Sequence, residues 1–452
     1  MPLAYLTVRT DLPFRRFWTV LVALPLVIPS YIGAFTFVSA FGPRGEFQDV
    51  LAPYGIDQLP EIYGLGGTIL VITLYTYPYV FLTTRASLLS LDIRLIDAAR
   101  TLNHGRWGAF RRVTLPHIRP AILAGGLLAA LYAISDFGTP AIMQLPVFTR
   151  QIFVENNAFN QEYAALLSLQ LLAVVVVVLA VERRLRSDRT VEGDGSASTV
   201  DSRISLGPAR WLAVVLPVTV AGVALLVPIW ILGLWLLRTG TVGHGSAAFK
   251  PAYVVNSVSV SVAAAVAAVV IALPVAYLSA REDTWLASAI ERTTYLGFAV
   301  PGVVLGLALI YFSTRTVPSL YQTIPLLVFA YVIRFVPQAV GTIRTATLTV
   351  DQRLVEAART LGADSFGAFR RITFPLVVPG VIAGGALVFL TTMKELPVTL
   401  FLRPIGFKTV VLHIWQAQEA ATYQYAVVPT VLLLLVSGLS MVILLRQGDY
   451  DV

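Results

Sequence analysis

Residues 97–126 read DAARTLNHGRWGAFRRVTLPHIRPAILAGG, and residues 356–385 read EAARTLGADSFGAFRRITFPLVVPGVIAGG. The two segments align without a gap at an offset of 259, and roughly half of their positions are identical. A repeat of this length sets the architecture before any single residue is weighed. Both copies are polar and Arg-rich, and both lie between apolar stretches too long for soluble helices. The chain therefore reads as two membrane halves, each presenting the same basic, helix-forming loop on one side.

Composition agrees with a membrane protein. Hydrophobic residues make up 57% of the 452 residues, charged residues 13%, and the mean hydropathy is +0.77. Soluble domains carry about 25% charge. Stretches such as 163–181, 211–237, 252–280 and 426–445 can cross a hydrocarbon core of about 30 Å. Backbone groups in lipid must bond internally, which makes these stretches helices. Cysteine is absent, so neither disulfides nor thiolate-held metals contribute.

Spans are expected near 18–41, 66–84, 120–135 and 163–182 in the first half. In the second they fall near 210–236, 252–279, 292–314, 323–343, 378–394 and 426–446. The fold class is thus an all-α polytopic membrane protein with about ten full spans and an N-terminal remnant. The first transmembrane domain covers 1–182 (loop 85–119), a flexible cytoplasmic linker 183–209, and the second domain 210–452 (loop 344–378). The linker is rich in Gly, Ser and charge, which bury no core.

PLAYLTVRTD from Pro2 matches PVAYLSARED from Pro274 at an offset of 272, as Pro29 matches Pro301. Met1 then corresponds to a point deep inside the second span of the other half. A start assigned too late, a trimmed chain and a genuinely shortened protein all remain open. With both loops on one side, 24 of the 33 Lys and Arg fall there and eight opposite, with Arg334 inside a helix. The positive-inside bias makes that side the cytoplasm. It also accounts for the net charge of +8 without nucleic acid.

Within the second loop, Ala357, Ala358 and Arg359 favour helix, Gly362 can end it, and a second helix starts before Pro375. Small alanines permit close approach, while Glu356, Arg359, Arg370 and Arg371 offer charge. Phe366 and Phe369 can fill an apolar groove. The first copy offers Asp97, Ala98, Ala99, Arg100, Trp107, Phe110, Arg111 and Arg112. Basic loops also lie on anionic lipid, but lipid attraction does not require the same Ala, Gly, Phe and Pro at the same spacing.

Glu-Ala-Ala, three residues, Gly, nine residues, Ile-x-Leu/Phe-Pro resembles the signature loop of permease subunits in binding-protein-dependent ABC importers. The second copy carries Phe374 at the Leu position. The first departs at Asp97 and Val113, and has Asn103 for the glycine, a residue that tolerates the left-handed conformation. The resemblance covers essentially the whole chain, each half being similar to one type I importer transmembrane domain. It implies a multi-pass inner-membrane permease whose loops form coupling helices seated in two copies of an ATPase, with an extracytoplasmic binding protein delivering cargo. ATP and Mg would bind the partner, leaving this chain without a cofactor and not an enzyme. Its three lysines, Lys250, Lys394 and Lys408, never follow a glycine, which excludes a G-x-x-x-x-G-K-[ST] loop.

SDFGTPA at Ser135 and MKELPVTL at Met393 resemble ferric-iron permeases of the fused two-half type, and so imply iron(III). Thiamine, phosphonate or another small anion remains an alternative. Asp136 and Glu395 are equivalent in the repeat, each after a fifth helix beginning near Pro120 or Pro379. Charges at the outer end of a span suggest a pathway role for Asp136, Lys394 and Glu395. The alternatives are outward snorkelling, or a salt bridge from Lys394 to either acid. Arg334, whose counterpart is Tyr75, either meets an anionic substrate or pairs internally. Pro337 and Pro78 are expected to kink the fourth helices. The histidines at 104, 117, 244 and 413 form no ligand-spaced cluster, and no catalytic nucleophile–base pair stands out. An ion-gradient-driven secondary transporter is the rival class; it would want acids in mid-helix and no large repeated loop.

Overall fold

A computed structural model describes residues 1–43, 45–55, 59–101, 105–187, 204–238, 249–282, 284–420 and 422–447. Asn103, His104, His244 and most of the linker lie outside these residues. Twenty-two α-helices occur among the described residues, with no strand beyond one isolated bridge.

The first ten are α1 (Pro2–Arg9), α2 (Arg15–Ala23), α3 (Ser30–Phe41), α4 (Glu46–Leu51), α5 (Leu65–Ser90), α6 (Ile93–Thr101), α7 (Arg106–Ala109), α8 (Leu115–Ser135), α9 (Gly138–Ile142) and α10 (Phe148–Asn157). Then come α11 (Gln161–Ser187), α12 (Arg210–Arg238), α13 (Pro251–Arg281), α14 (Trp285–Ala299), α15 (Gly302–Thr316) and α16 (Ile324–Leu348). The last six are α17 (Gln352–Thr360), α18 (Ser365–Ala368), α19 (Phe374–Met393), α20 (Pro397–Leu402), α21 (Val410–Glu419) and α22 (Val427–Gln447).

Among the described residues, seven helices are long and apolar enough to cross a bilayer, or up to nine if each of two bent pairs is one span. The bent pairs replace two straight spans expected near 18–41 and 292–314. Arg15–Val27 meets the following helix at 93°, and α14 meets α15 at 103°. Proline causes both breaks. Ile28 (φ −78°, ψ 120°) and Val300 (φ −72°, ψ 126°) are extended because a following proline excludes the helical region. Pro29 and Pro301 then open α3 and α15. Pro120 and Pro379, expected at helix starts, instead lie inside α8 and α19. Pro116 and Pro375 are the second residues of α8 and α19.

Contacts divide the chain into two compact units, one holding Met1–Arg150 and Leu169–Leu234, the other Gln151–Ser168 and Trp235–Tyr450. They are bodies of contact rather than sequence repeats: most of α12 counts with the first unit, where the Tyr75 hydroxyl donates to the Ala224 carbonyl at 3.1 Å. In the first unit α5 packs on α1, α3 and α8, and α3 on α9. In the second, α16 packs on α13 and α19, and α15 on α20. Close approach needs glycine at the same repeat position in each. A Cβ on Gly125 would lie 2.6 Å from Val80 Cα, and one on Gly384 3.0 Å from Ala339 Cα. The end of the linker returns to α1 in the first unit. Ile204 donates to the Arg9 carbonyl (2.9 Å), Asp11 to the Ile204 carbonyl (3.3 Å), and Leu206 N–H to Asp11 Oδ1 (2.8 Å). The bridge is parallel, Thr10 to Ile204.

Candidate functional site

The repeated loop folds the same way in both copies. A nine-residue helix (α6, α17) leads to a four-residue helix (α7, α18), then a π-helical turn (Phe110–Thr114, Phe369–Thr373), then the long helix α8 or α19. In the second copy local chemistry explains each step. Asp351 caps α17 by accepting from Arg353 N–H at 2.9 Å. Gly362 takes φ +91°, and two bonds close the helix: Gly362 N–H to Arg359 O and Ala363 N–H to Ala358 O, both 3.0 Å. That pair of bonds around a left-handed glycine is a Schellman ending. Asp364 then caps α18 through Gly367 N–H at 2.9 Å.

Helix α6 carries Asp97, Ala98, Ala99 and Arg100, and α17 carries Glu356, Ala357, Ala358 and Arg359. Asp97, Ala98, Arg100, Glu356, Ala357 and Arg359 are exposed, Ala358 is half-buried and Ala99 is buried. Gly362, Arg111 and Arg370 are exposed too. Phe110 and Phe369 are half-buried, because each meets a tyrosine edge-on within its own unit. Tyr5 lies 5.4 Å from Phe110 at 88°, and Tyr277 lies 5.1 Å from Phe369 at 78°. The outward-facing aromatics are Trp107 (73% exposed) and Phe366 (69%), with Leu95, Leu354 and Leu361 exposed beside them in sequence. Leu95 and Leu354 are equivalent in the repeat, a signal that the charged residues around them obscured.

Two arginines secure the roots of these elements. Arg9 donates to the Leu88 and Leu91 carbonyls at 2.9 and 3.0 Å, and Arg281 to the Val350 carbonyl at 3.2 Å. A hydrogen bond from a charged donor contributes about 1.5–3 kcal/mol.

At the other end of α8 and α19, the acids expected in the pathway stand in unlike settings. Asp136 follows α8 and accepts from the Ser30 hydroxyl at 3.0 Å; the Tyr132 hydroxyl donates to Ser30 at 2.9 Å. Thr149 donates to the Asp136 main-chain carbonyl at 2.8 Å. Glu395, 8% exposed, pairs with Arg334 at 3.5 Å and accepts from Val398 N–H at 3.3 Å. Arg334 also donates to the Val300 carbonyl at 3.1 Å. Internal pairing, one of two alternatives for Arg334, is the arrangement observed. Glu395 takes its counter-ion from α16 and not from Lys394. Half-buried Lys394 has no ion-pair partner among the described residues. Among those residues, no group of three or more His, Cys, Asp or Glu could hold a metal ion.

Residues 2–187 and again 268–449 match the family described as binding-protein-dependent transport system inner membrane component. The chain is 31% identical to the Fe(3+)-transport system permease protein FbpB 2 of Haemophilus influenzae, over 96% of this chain and 83% of that protein. It is 22% identical to the ferric transport system permease protein FbpB of Actinobacillus pleuropneumoniae, over 89% of this chain and 62% of the relative. It is 30% identical to the molybdenum transport system permease protein ModB of Escherichia coli, over 33% of this chain and 65% of that protein.

Proposed function

The chain belongs to the family of binding-protein-dependent transport system inner membrane components, and we propose that it is the two-half permease of an ATP-driven importer for iron(III). The observation that carries the importer reading is the duplicated loop: both copies fold into the same helix–helix–π-turn element with exposed small and charged residues. Each element seats one ATPase subunit, through Asp97, Ala98, Arg100 and Arg111 in the first copy and Glu356, Ala357, Arg359, Gly362 and Arg370 in the second. Asn103 belongs to the first set by its place in the repeat. Two ATPase copies follow from two elements. Hydrolysis occurs on those subunits, with ATP and Mg held there, and closing them drives alternate access through differential contacts in the two states. Seven long helices, two bent pairs and α22 would together make ten spans, with the repeated loops in the cytoplasm.

Iron is favoured because the iron-named Haemophilus relative matches over nearly the whole chain, whereas the molybdenum-named one matches a third. Cargo arrives on an extracytoplasmic binding protein. Asp136, Lys394, Glu395 and Arg334 line the entry to the path; the Arg334–Glu395 pair shapes it, while Asp136 and Lys394 offer charge with no ionic partner among the described residues.

Proteoliposomes holding this chain, its ATPase and the binding protein test the reading. Iron(III) uptake that requires ATP and persists when ion gradients are collapsed supports it. Uptake without the ATPase rejects the importer class. Molybdate uptake in place of iron would correct the cargo alone.

A further inference from the structure

Each repeat holds its loop at two points from a helix outside that loop. Arg9 ends α1 and Arg281 ends α13; the first bonds the Leu88 and Leu91 carbonyls, the second that of Val350. Leu88 lies in the last turn of α5, Leu91 joins α5 to α6, and Val350 joins α16 to α17. Four residues before each arginine, Tyr5 and Tyr277 set their rings against Phe110 and Phe369, in the π-helical turns that end the same elements. The arginine thus fastens the entrance of the element and the tyrosine fastens its exit.

Chain spacing does not produce this match. Arg9 and Leu91 are 82 residues apart, whereas Arg281 and Val350 are 69 apart. The arginines correspond at the 272 offset and their acceptors at the 259 offset, so both contacts survive a change in length between them. The chemistry suits the place. The last carbonyls of a helix lack intrahelical donors, and a cation there meets the negative end of the helix dipole. A planar guanidinium offers several fixed donors, so one side chain can tie two carbonyls.

We infer that Arg9 and Arg281 are positioning residues for energy coupling. With Tyr5 and Tyr277 they clamp each docking element to α1 or α13. A push on α6 or α17 is then delivered to a helix that does not continue from the loop, as well as to the helices that do. The inference rests on the reading that these elements seat ATPase subunits. A residue needed only for folding would lower stability without changing how hydrolysis responds to cargo arriving at the far side.

The chain has no cysteine, so Thr360→Cys on exposed α17 can carry a single spin label. In the full complex with its ATPase and a binding protein charged with ferric iron, Arg281→Gln is expected to cut stimulation of hydrolysis by about fivefold or more. The ATPase still co-purifies, the label gains mobility, and Arg281→Lys recovers part of both. Arg9→Gln gives the same result with the label at Thr101→Cys. Unchanged label mobility, or a freer label with stimulation equal to the parent, overturns the inference. If the parent recovers no ATPase, the docking reading fails instead, and label mobility in the chain alone still judges the clamp. If Arg281→Gln does not reach the membrane, Arg281→Lys decides: parental mobility and parental stimulation together would overturn it.

Discussion

Arg334 reaches Glu395 at 3.5 Å across space that Gly302 leaves open, since a Cβ there would lie 2.8 Å from both side chains. The equivalent residue in the first half is Ser30, whose hydroxyl bonds Asp136 directly. Tyr75 stands where Arg334 would be. The two halves thus solve the same problem, a carboxylate at the end of a long helix, once with a cation and once with a hydroxyl.

Removing one member of the pair leaves the other charged and enclosed. Arg334→Gln or Glu395→Gln is expected to destabilise the protein by about 3–5 kcal/mol. The double replacement is expected to recover most of that loss. Thermal unfolding of purified protein in one detergent reads all three; additive losses in the double variant would show that the pair is not coupled.

Gly302→Val forces the guanidinium or the carboxylate aside. Overpacking of this kind costs about 1–3 kcal/mol. Ser30→Ala in the other half removes two hydrogen bonds, one to Asp136 and one from Tyr132, without any volume conflict, so its cost is about 1–3 kcal/mol. A melting point for Gly302→Val equal to that of the parent would contradict the role given to Gly302.

Gly362 sits at φ +91°, a backbone region that costs a residue with a Cβ about 1–2 kcal/mol. Gly362→Val is expected to loosen the Schellman ending of α17 and lower recovery of the ATPase on pull-down. Membrane insertion stays intact, because the strain is confined to an exposed turn. Parental recovery of the ATPase would argue against docking at this turn.

Phe366 and Phe369 are separable. Phe366→Ala removes an exposed ring and is expected to reduce ATPase recovery with little change in stability. Phe369→Ala loses the edge-on contact with Tyr277, worth about 0.5–1.5 kcal/mol beyond burial, and is expected to lower the melting point. The reverse pattern, measured by pull-down and thermal unfolding, would exchange their roles.

Local chemistry was readable in advance. Gly362 as a helix end, Pro375 near a helix start and long apolar runs as spans all depend on neighbours within a turn or two. The bends at Ile28–Pro29 and Val300–Pro301 were less so, because apolar residues continue on both sides of each proline and a span of ordinary length passes through. Partners distant in sequence were hidden altogether. Nothing near Phe369 announces Tyr277, and pairing Arg334 with Glu395 depends on the bareness of Gly302 on a third helix. Lys394, adjacent to Glu395 in sequence, was the nearer but wrong counter-ion: the chain turns between them, and the carboxylate faces α16.

The short parallel pairing of Ile204 with Thr10 moors the connector beside Arg9 before the chain enters α12. Extra length inserted upstream of Ile204 is therefore slack that this anchorage never feels.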